Sequence, residues 1–426
     1  MATPFWYNAA LAIIKPLYQW RIKKRAQDVA AYQQECLERF GPFQPPKNLN
    51  TIWFHAVSVG ETNAAQPLIE HYLKLGHSVL VTNTTKTGQA RAKSLFIKAP
   101  YQALFQAVYL PADQKGLVQV FFQKYQPKIL ILVETELWPN LIDQAQAFKV
   151  PTILVNARLS AKSAQGYAKV SGLTQAMLKG LNQLLAQDAA TAERFIQLGA
   201  APSVTQVVGS IKFDIHAPEQ FVQQAIQLKH DWQLADRKII TIASTHAPEE
   251  QKLLSVLQPY LQQHPELLCI VVPRHPERFD EVYQIAQNLN LQTSRRSQQQ
   301  PIQADTQVFL ADSMGELWLW YALSQVCFVG GSLNEPGGGH NILEPIALNV
   351  PTILGKNYFN FQTIVDEFIQ ADAVKVVDTA EQAAVVLMQL LDNTEQAQQL
   401  NQAAQQIMQL NTGSLDKHIQ AIDGYL

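Results

Sequence analysis

The chain has 426 residues, is 47% hydrophobic and 16% charged, and carries a formal net charge of −2 at pH 7. Its length suits two domains rather than one. The near-neutral balance excludes a broad polyanion-binding surface, so no nucleic-acid partner is expected. Cys36, Cys269 and Cys327 lie far apart without metal or redox spacing, a usage that suits a reducing compartment.

Residues 1–25 form the first element. Phe5–Trp20 is mostly apolar, with Trp6, Tyr7, Tyr18 and Trp20 near its ends, and Arg21, Lys23, Lys24 and Arg25 follow. An aromatic-edged apolar run followed by cations reads as a membrane anchor or interfacial helix with its basic end on the cytoplasmic side. The run is short for a span, and Asn8, Lys15 and Pro16 interrupt it. The alternative is an amphipathic helix packed on the body of the protein.

Residues 26–215 read as one α/β domain. Strands are expected at Thr51–Val57, Ser78–Asn83, Ala107–Leu110, Ile129–Val133, Pro151–Asn156, Leu184–Ala186 and Val204–Val208. Helical runs separate them, a pattern that predicts a mostly parallel sheet. Thr62 or Asn63 is the expected cap of the first helix after Thr51–Val57. The proline-marked stretch His216–Pro218 is the domain boundary, and residues 216–426 form a second unit of the same kind. Its strands are expected at Lys238–Ala243, Leu268–Val272, Gln307–Leu310, Val326–Val329 and Pro351–Leu354.

Polar residues collect just after these strands, at the sheet edge where parallel α/β proteins bind ligands. Glu61 follows a glycine at a strand-to-helix turn, where a carboxylate can take a proton from an attacking hydroxyl. As a first-turn carboxylate it would also feel the helix dipole, which would lower its basicity. Glu134 and Glu136 straddle Thr135 and share a face if the chain stays extended. Lys86 and Arg158 are candidate partners for an anionic substrate. In the second unit Ser244, Ser313 and Ser332 are hydroxyls near turn backbone. Arg274, after Pro273 and before His275, can fork onto a phosphate or carboxylate. Met314 and Gly315 belong to the Ser313 turn. Gly330-Gly331-Ser332 ends a strand and is expected to offer free N–H groups to an anion. Asn341 can bind ligand or cap its own helix, and Glu344 can accept two ribose hydroxyls. No Walker loop, dinucleotide fingerprint, His-Glu-x-x-His or Gly-x-Ser-x-Gly is present, so metal, hydride and acyl-enzyme chemistry lack support.

The segments HAVSVGET (55–62), TNTTKTG (82–88), ETELWPNLI (134–142), NARLSAKSAQGYAK (156–169), GSIKFD (209–214), PRHPERF (273–279), DSMGEL (312–317) and FVGGSLNEPGGGHNILEP (328–345) run in order through nearly the whole chain. Together they resemble the 3-deoxy-D-manno-octulosonic acid (Kdo) transferases of lipopolysaccharide synthesis. The resemblance implies a GT-B architecture, two Rossmann-like domains facing across a cleft, with a C-terminal helix crossing back to the first. It implies an inverting transfer of Kdo from CMP-Kdo to the lipid A precursor, without cofactor or metal, at the cytoplasmic face of the inner membrane of a Gram-negative bacterium. It assigns the general base to Glu61 and CMP binding to the regions of Pro273-Arg274-His275 and Gly330–Glu344, with Lys212 near the donor. Two other readings are a GT-B transferase for another nucleotide sugar and a non-catalytic membrane-associated scaffold. Intact Glu61, Arg274 and Glu344 weigh against the scaffold. The number of Kdo residues transferred and the oligomeric state are not legible.

Overall fold

The computed structural model describes residues 3–426, and every side chain among them except that of Thr363. The chain divides into two compact units. One contains the residues up to Asp214 together with Asn411–Leu426, and the other is Ile215–Leu410.

The first unit is built on a seven-stranded parallel sheet. Its strands are β1 (Ile52–His55), β2 (Val79–Asn83), β3 (Phe105–Tyr109), β4 (Ile129–Val133), β5 (Thr152–Ala157), β6 (Gln183–Ala186) and β7 (Thr205–Val207). They lie in the order β3-β2-β1-β4-β5-β6-β7. The central strands are apolar on both faces because helices cover both. Successive residues of β1 go to opposite sides. Ile52 and Phe54 join one core with Val79, Val81, Ile129 and Ile131, whereas Trp53 joins the other with Leu80, Leu130, Leu132 and Phe121. The chain order reverses between β1 and β4, which pair from Ile52↔Ile129 to His55↔Leu132. Their carboxyl ends therefore form the switch point of this sheet.

Two terminal segments complete the first unit. The helix Phe5–Arg25 lies against it along one side. The Tyr7 hydroxyl donates to Asp113 at 2.9 Å, Asn140 Nδ2 donates to Asn8 at 3.0 Å, and Ile22 is fully buried. The other side leaves Trp6, Ile13, Leu17 and Trp20 exposed. Among the described residues no helix is long and apolar enough to cross a membrane, so the spanning form of the N-terminal reading is not supported. At the other end, the helix Ser414–Asp423 buries Ile422 in the core of the first unit. Tyr72 donates to Asp423 at 3.0 Å, and the Asn156 N–H donates to His418 Nε2 at 2.9 Å.

The second unit has its own seven-stranded parallel sheet, in the order β10-β11-β9-β8-β12-β13-β14. The strands are β8 (Lys238–Thr245), β9 (Leu267–Pro273), β10 (Thr293–Arg295), β11 (Val308–Leu310), β12 (Val326–Val329), β13 (Thr352–Gly355) and β14 (Lys375–Val377). β10 and β14 were not expected, and they are three-residue strands at the two edges of the sheet. Cys269 and Cys327 are core residues, as read from the sequence, and burial pushes both thiols up to about 12. The order reverses between β8 and β12, which puts Thr245–Glu249 beside Gly330–Ser332 at the second switch point.

Candidate active site

Glu61 lies in the first turn of the helix Val59–Lys74, directly after β1. The cap is Ser58, not Thr62 or Asn63. Ser58 Oγ accepts the Glu61 N–H at 3.4 Å, and the Glu61 carboxylate reaches back to accept the Val57 N–H at 2.6 Å and the Ser58 hydroxyl at 3.1 Å. This is a variant of the capping box, in which side chain and backbone at a helix start satisfy each other. Burial pushes the Glu61 carboxyl up to about 8, and the negative charges of Glu136 and Glu134 add to it against the opposing Val57 and Ser58 bonds. The expectation that the helix dipole lowers its basicity is therefore corrected. A partly desolvated carboxylate facing two others outweighs the half-charge of a helix end.

Those neighbours come from the end of β4. Glu134 adopts a left-handed conformation, φ 62°, so the segment turns and the condition of an extended chain is not met. The Thr135 hydroxyl donates to the Arg158 carbonyl, and the Arg158 N–H donates to the Glu134 carbonyl at 3.3 Å, which holds the turn. Lys212 Nζ sits 2.9 Å from Glu134 Oε1. The structure thus places Lys212 with the first unit's carboxylates. Trp138 Nε1 donates to Glu136 at 2.9 Å, and burial raises the Glu136 pKa. His55 is fully buried with Nε2 3.9 Å from Glu136, and burial lowers it to about 4, so it is neutral. Lys86 and Arg158 are half-buried, and neither forms an ion pair among the described residues.

The second switch point is built around a residue without an assigned role in the sequence reading. Glu249 is fully buried in the first turn of the helix Glu249–Gln263. Its Oε1 accepts the N–H groups of Ser332 at 2.9 Å and Leu333 at 2.8 Å. Its Oε2 accepts those of Gly331 at 2.6 Å and His246 at 3.1 Å. The Gly330 N–H goes to the Ala243 carbonyl at 2.7 Å. The Ser332 hydroxyl donates to Val329 O at 2.7 Å and accepts the Gly355 N–H at 2.8 Å. The expectation of free N–H groups at Gly330, Gly331 and Ser332 is therefore corrected: all are engaged within the protein. The glycines are explained by crowding. A Cβ at Gly330 would lie 2.8 Å from Thr245 Cα and 3.0 Å from Glu249 Oε2. One at Gly331, φ 68°, would lie 2.8 Å from His340 Cδ2.

Around this clamp the structure gathers part of the expected donor set. Pro273 ends β9, and Arg274 and His275 are exposed just beyond it. The Arg274 N–H donates to Thr245 O at 3.0 Å, while its guanidinium forms no ion pair among the described residues. Burial raises the Glu344 pKa, against a 3.2 Å bond from Asn341 Nδ2 and the charge of Arg274. Asn341 Oδ1 also accepts the Leu343 N–H at 3.1 Å, so Asn341 orders the loop and Glu344 together. His246 Nε2 and His340 Nε2 are 2.8 Å apart with stacked rings, and the His275 ring meets His246 edge-on at 4.9 Å. Burial lowers both paired histidines, His340 to about 4, with the charge of Arg274 adding to it, so the pair is neutral and one ring donates to the other. Ser244 is buried in a left-handed conformation, φ 55°, where the β8–β9 register shifts. Ser313 bonds instead to Glu316, the partner of Arg296 at 2.7 Å, and Met314 and Gly315 stand exposed on the same turn.

Sequence reasoning missed Glu249, His246 and His340. Glu249 had a visible signal, an acidic pair placed directly after a strand and Pro248, but a first-turn carboxylate usually needs no partner beyond the dipole.

Two parallel α/β units, each with polar side chains at its switch point, define a two-unit fold of the GT-B kind. Solved structures agree on the fold. A putative UDP-N-acetylglucosamine 2-epimerase from Listeria monocytogenes matches with TM-score 0.54 at 13% identity, over 89% of this chain and 97% of that one. HepE from Anabaena, in complex with UDP, matches with TM-score 0.53 at 13% identity, over 88% and 100%. Residues 34–215 match the family described as 3-Deoxy-D-manno-octulosonic-acid transferase (kdotransferase), and residues 222–407 match Glycosyl transferases group 1. The 3-deoxy-D-manno-octulosonic acid transferase of Haemophilus influenzae is 36% identical over 99% of this chain and 98% of its own length. That of Bordetella pertussis is 34% identical over 99% of both. The C-terminal CMP-Kdo binding domain of WaaA from Acinetobacter baumannii is 62% identical over 45% of this chain and all of that domain, with TM-score 0.45. The chain belongs to the Kdo transferase family and is a glycosyltransferase.

Proposed function

We propose that Glu61 is the general base of Kdo transfer and that the groups around Arg274 and Glu344 hold the nucleotide. The enzyme takes Kdo from CMP-Kdo, in lipopolysaccharide biosynthesis. The acceptor is the lipid A precursor, and its sugar hydroxyl attacks the anomeric carbon opposite the leaving phosphate, which inverts the linkage. Glu61 accepts the hydroxyl proton. The observation that carries this role is its carboxyl, pushed up to about 8 by burial and by Glu136. A base is most effective when its pKa lies near the working pH. The leaving CMP is already a good anion, so it needs positive charge and donors more than a strong acid. Arg274, with no ion-pair partner among the described residues, supplies charge in fork geometry. Glu344 receives the ribose hydroxyls. Lys86 and Arg158 are the proposed contacts for acceptor phosphates. Transfer is proposed to be metal-independent.

The proposed location is the cytoplasmic face of the inner membrane, with the N-terminal helix lying in the interface. Support comes from the exposed Trp6, Ile13, Leu17 and Trp20 and from the exposed Arg21, Lys23 and Lys24.

The test of the base is Glu61→Gln, assayed by mass analysis of lipid products from CMP-Kdo and lipid A precursor. Transfer should fall about 10²- to 10⁴-fold with CMP binding retained. Unchanged turnover would remove Glu61 from the chemistry. For the membrane role, Trp6→Ser combined with Trp20→Ser should weaken partitioning to anionic vesicles about tenfold. Equal partitioning in a flotation assay would reject the interfacial helix.

A further inference from the structure

We infer that Glu249 is a resident anion that fills the phosphate nest of the second unit, and that it thereby restricts the donor to a nucleotide with one phosphate. Successive N–H groups at Gly331, Ser332 and Leu333 converge on one point, the arrangement that forms an anion-binding concavity in phosphate-binding proteins. Here that point holds the Glu249 carboxylate, which also accepts the His246 N–H.

The substitution is complete in hydrogen-bonding terms. Each carboxylate oxygen accepts two N–H groups, and the residue is fully buried. An incoming phosphate could take the nest only by expelling this carboxylate, which would then be a buried charge without donors. Gly330 packs against this carboxylate closely enough that an added Cβ would lie 3.0 Å from Glu249 Oε2. A diphosphate donor needs a second set of donors for its extra phosphate. This unit has spent those donors on Glu249 and leaves the exposed guanidinium of Arg274 for a single phosphate. Glu249 is thus a specificity-determining residue that acts by occupying a subsite.

The experiment uses the full chain as wild type, Glu249→Ala and Glu249→Ser, with inorganic phosphate, CMP and CDP as probes. Phosphate binding is read by calorimetry, and CMP and CDP are compared as competitors of CMP-Kdo. The wild type should show no phosphate binding at the nest and should prefer CMP. Glu249→Ala should bind phosphate, and its preference should move toward CDP by at least about tenfold, the weight of charge-assisted hydrogen bonds. A general loss of stability would weaken both nucleotides alike and leave that ratio unmoved. If Glu249→Ala does not fold, Glu249→Ser, which also empties the subsite, is judged by the same ratio. A folded variant with an unchanged CDP-to-CMP ratio and no phosphate binding overturns the inference. Phosphate binding is read without turnover, so failure here is separable from failure of the Glu61 assignment.

Discussion

Glu61 and Glu249 occupy the corresponding place in the two units. Each lies in the first helical turn after the strand that flanks its sheet's switch point. Their surroundings differ in kind. Glu249 receives four backbone N–H groups. Glu61 receives one N–H and one hydroxyl and faces the carboxylates of Glu134 and Glu136. The first arrangement surrounds a carboxylate with backbone donors, and the second holds a carboxyl pushed up to about 8. The same position in the same fold thus yields a carboxylate clamped by backbone donors in one unit and a carboxyl of raised pKa in the other. Donors delivered by a neighbouring loop make the difference.

The sharpest way to break this comparison is to neutralise both residues. Glu61→Gln should cost the 10²- to 10⁴-fold in transfer given above while leaving the fold intact. Glu249→Ala should do the reverse in kind, lowering unfolding free energy on the order of 3 kcal/mol in urea denaturation, because it orphans buried N–H groups. If Glu249→Ala is as stable as the wild type, the clamp contributes nothing.

Two matched glycines probe the same contrast at smaller scale. Gly330→Ala forces a methyl against Thr245 and Glu249 and should cost about 1–3 kcal/mol. Gly60→Ala, next to Glu61, meets only Ser58 Oγ at 3.8 Å and should stay within about 0.5 kcal/mol. Equal melting temperatures for the two variants would contradict the crowding.

A pH series separates the carboxylates most gently. The Glu61 carboxyl is raised from its ordinary 4.5 to about 8. Its base form accumulates as pH rises, so transfer should climb through pH 8 and then level. The stability sign is opposite. The folded protein holds the Glu61 proton more tightly than the unfolded chain, so this contribution is complete below 4.5 and is lost as pH rises through 8. Glu61→Gln should therefore gain melting temperature relative to wild type as pH increases across that window. Glu136→Gln removes a raising charge and should move the activity midpoint to lower pH. An unmoved midpoint would detach Glu136 from Glu61.

How much was legible follows from where each force originates. β4 and β12 begin and end where the apolar runs Ile129–Val133 and Val326–Val329 do, because a strand buried on both faces is written as continuous hydrophobicity. β10 and β14 carry partly exposed residues and no such run, so edge pairing rather than composition makes them strands. Arg274, Asn341 and Glu344 were read from chemistry beside strand ends, and the structure brings the Arg274 charge and the Asn341 amide within reach of Glu344. Gly330-Gly331-Ser332 was read correctly as a tight turn but wrongly as open donors. The residue that fills it lies 83 positions away from Ser332, beyond any local pattern.

The sequence by itself determined the parallel α/β architecture and the family, because buried strands and ordered motifs are local properties of the chain. The tertiary structure decided which carboxyl has its pKa raised. A pKa is set by desolvation and by charges that folding brings close, and the turn at Glu134 and the Gly331–Leu333 loop reach their partners only across the switch points of the two sheets.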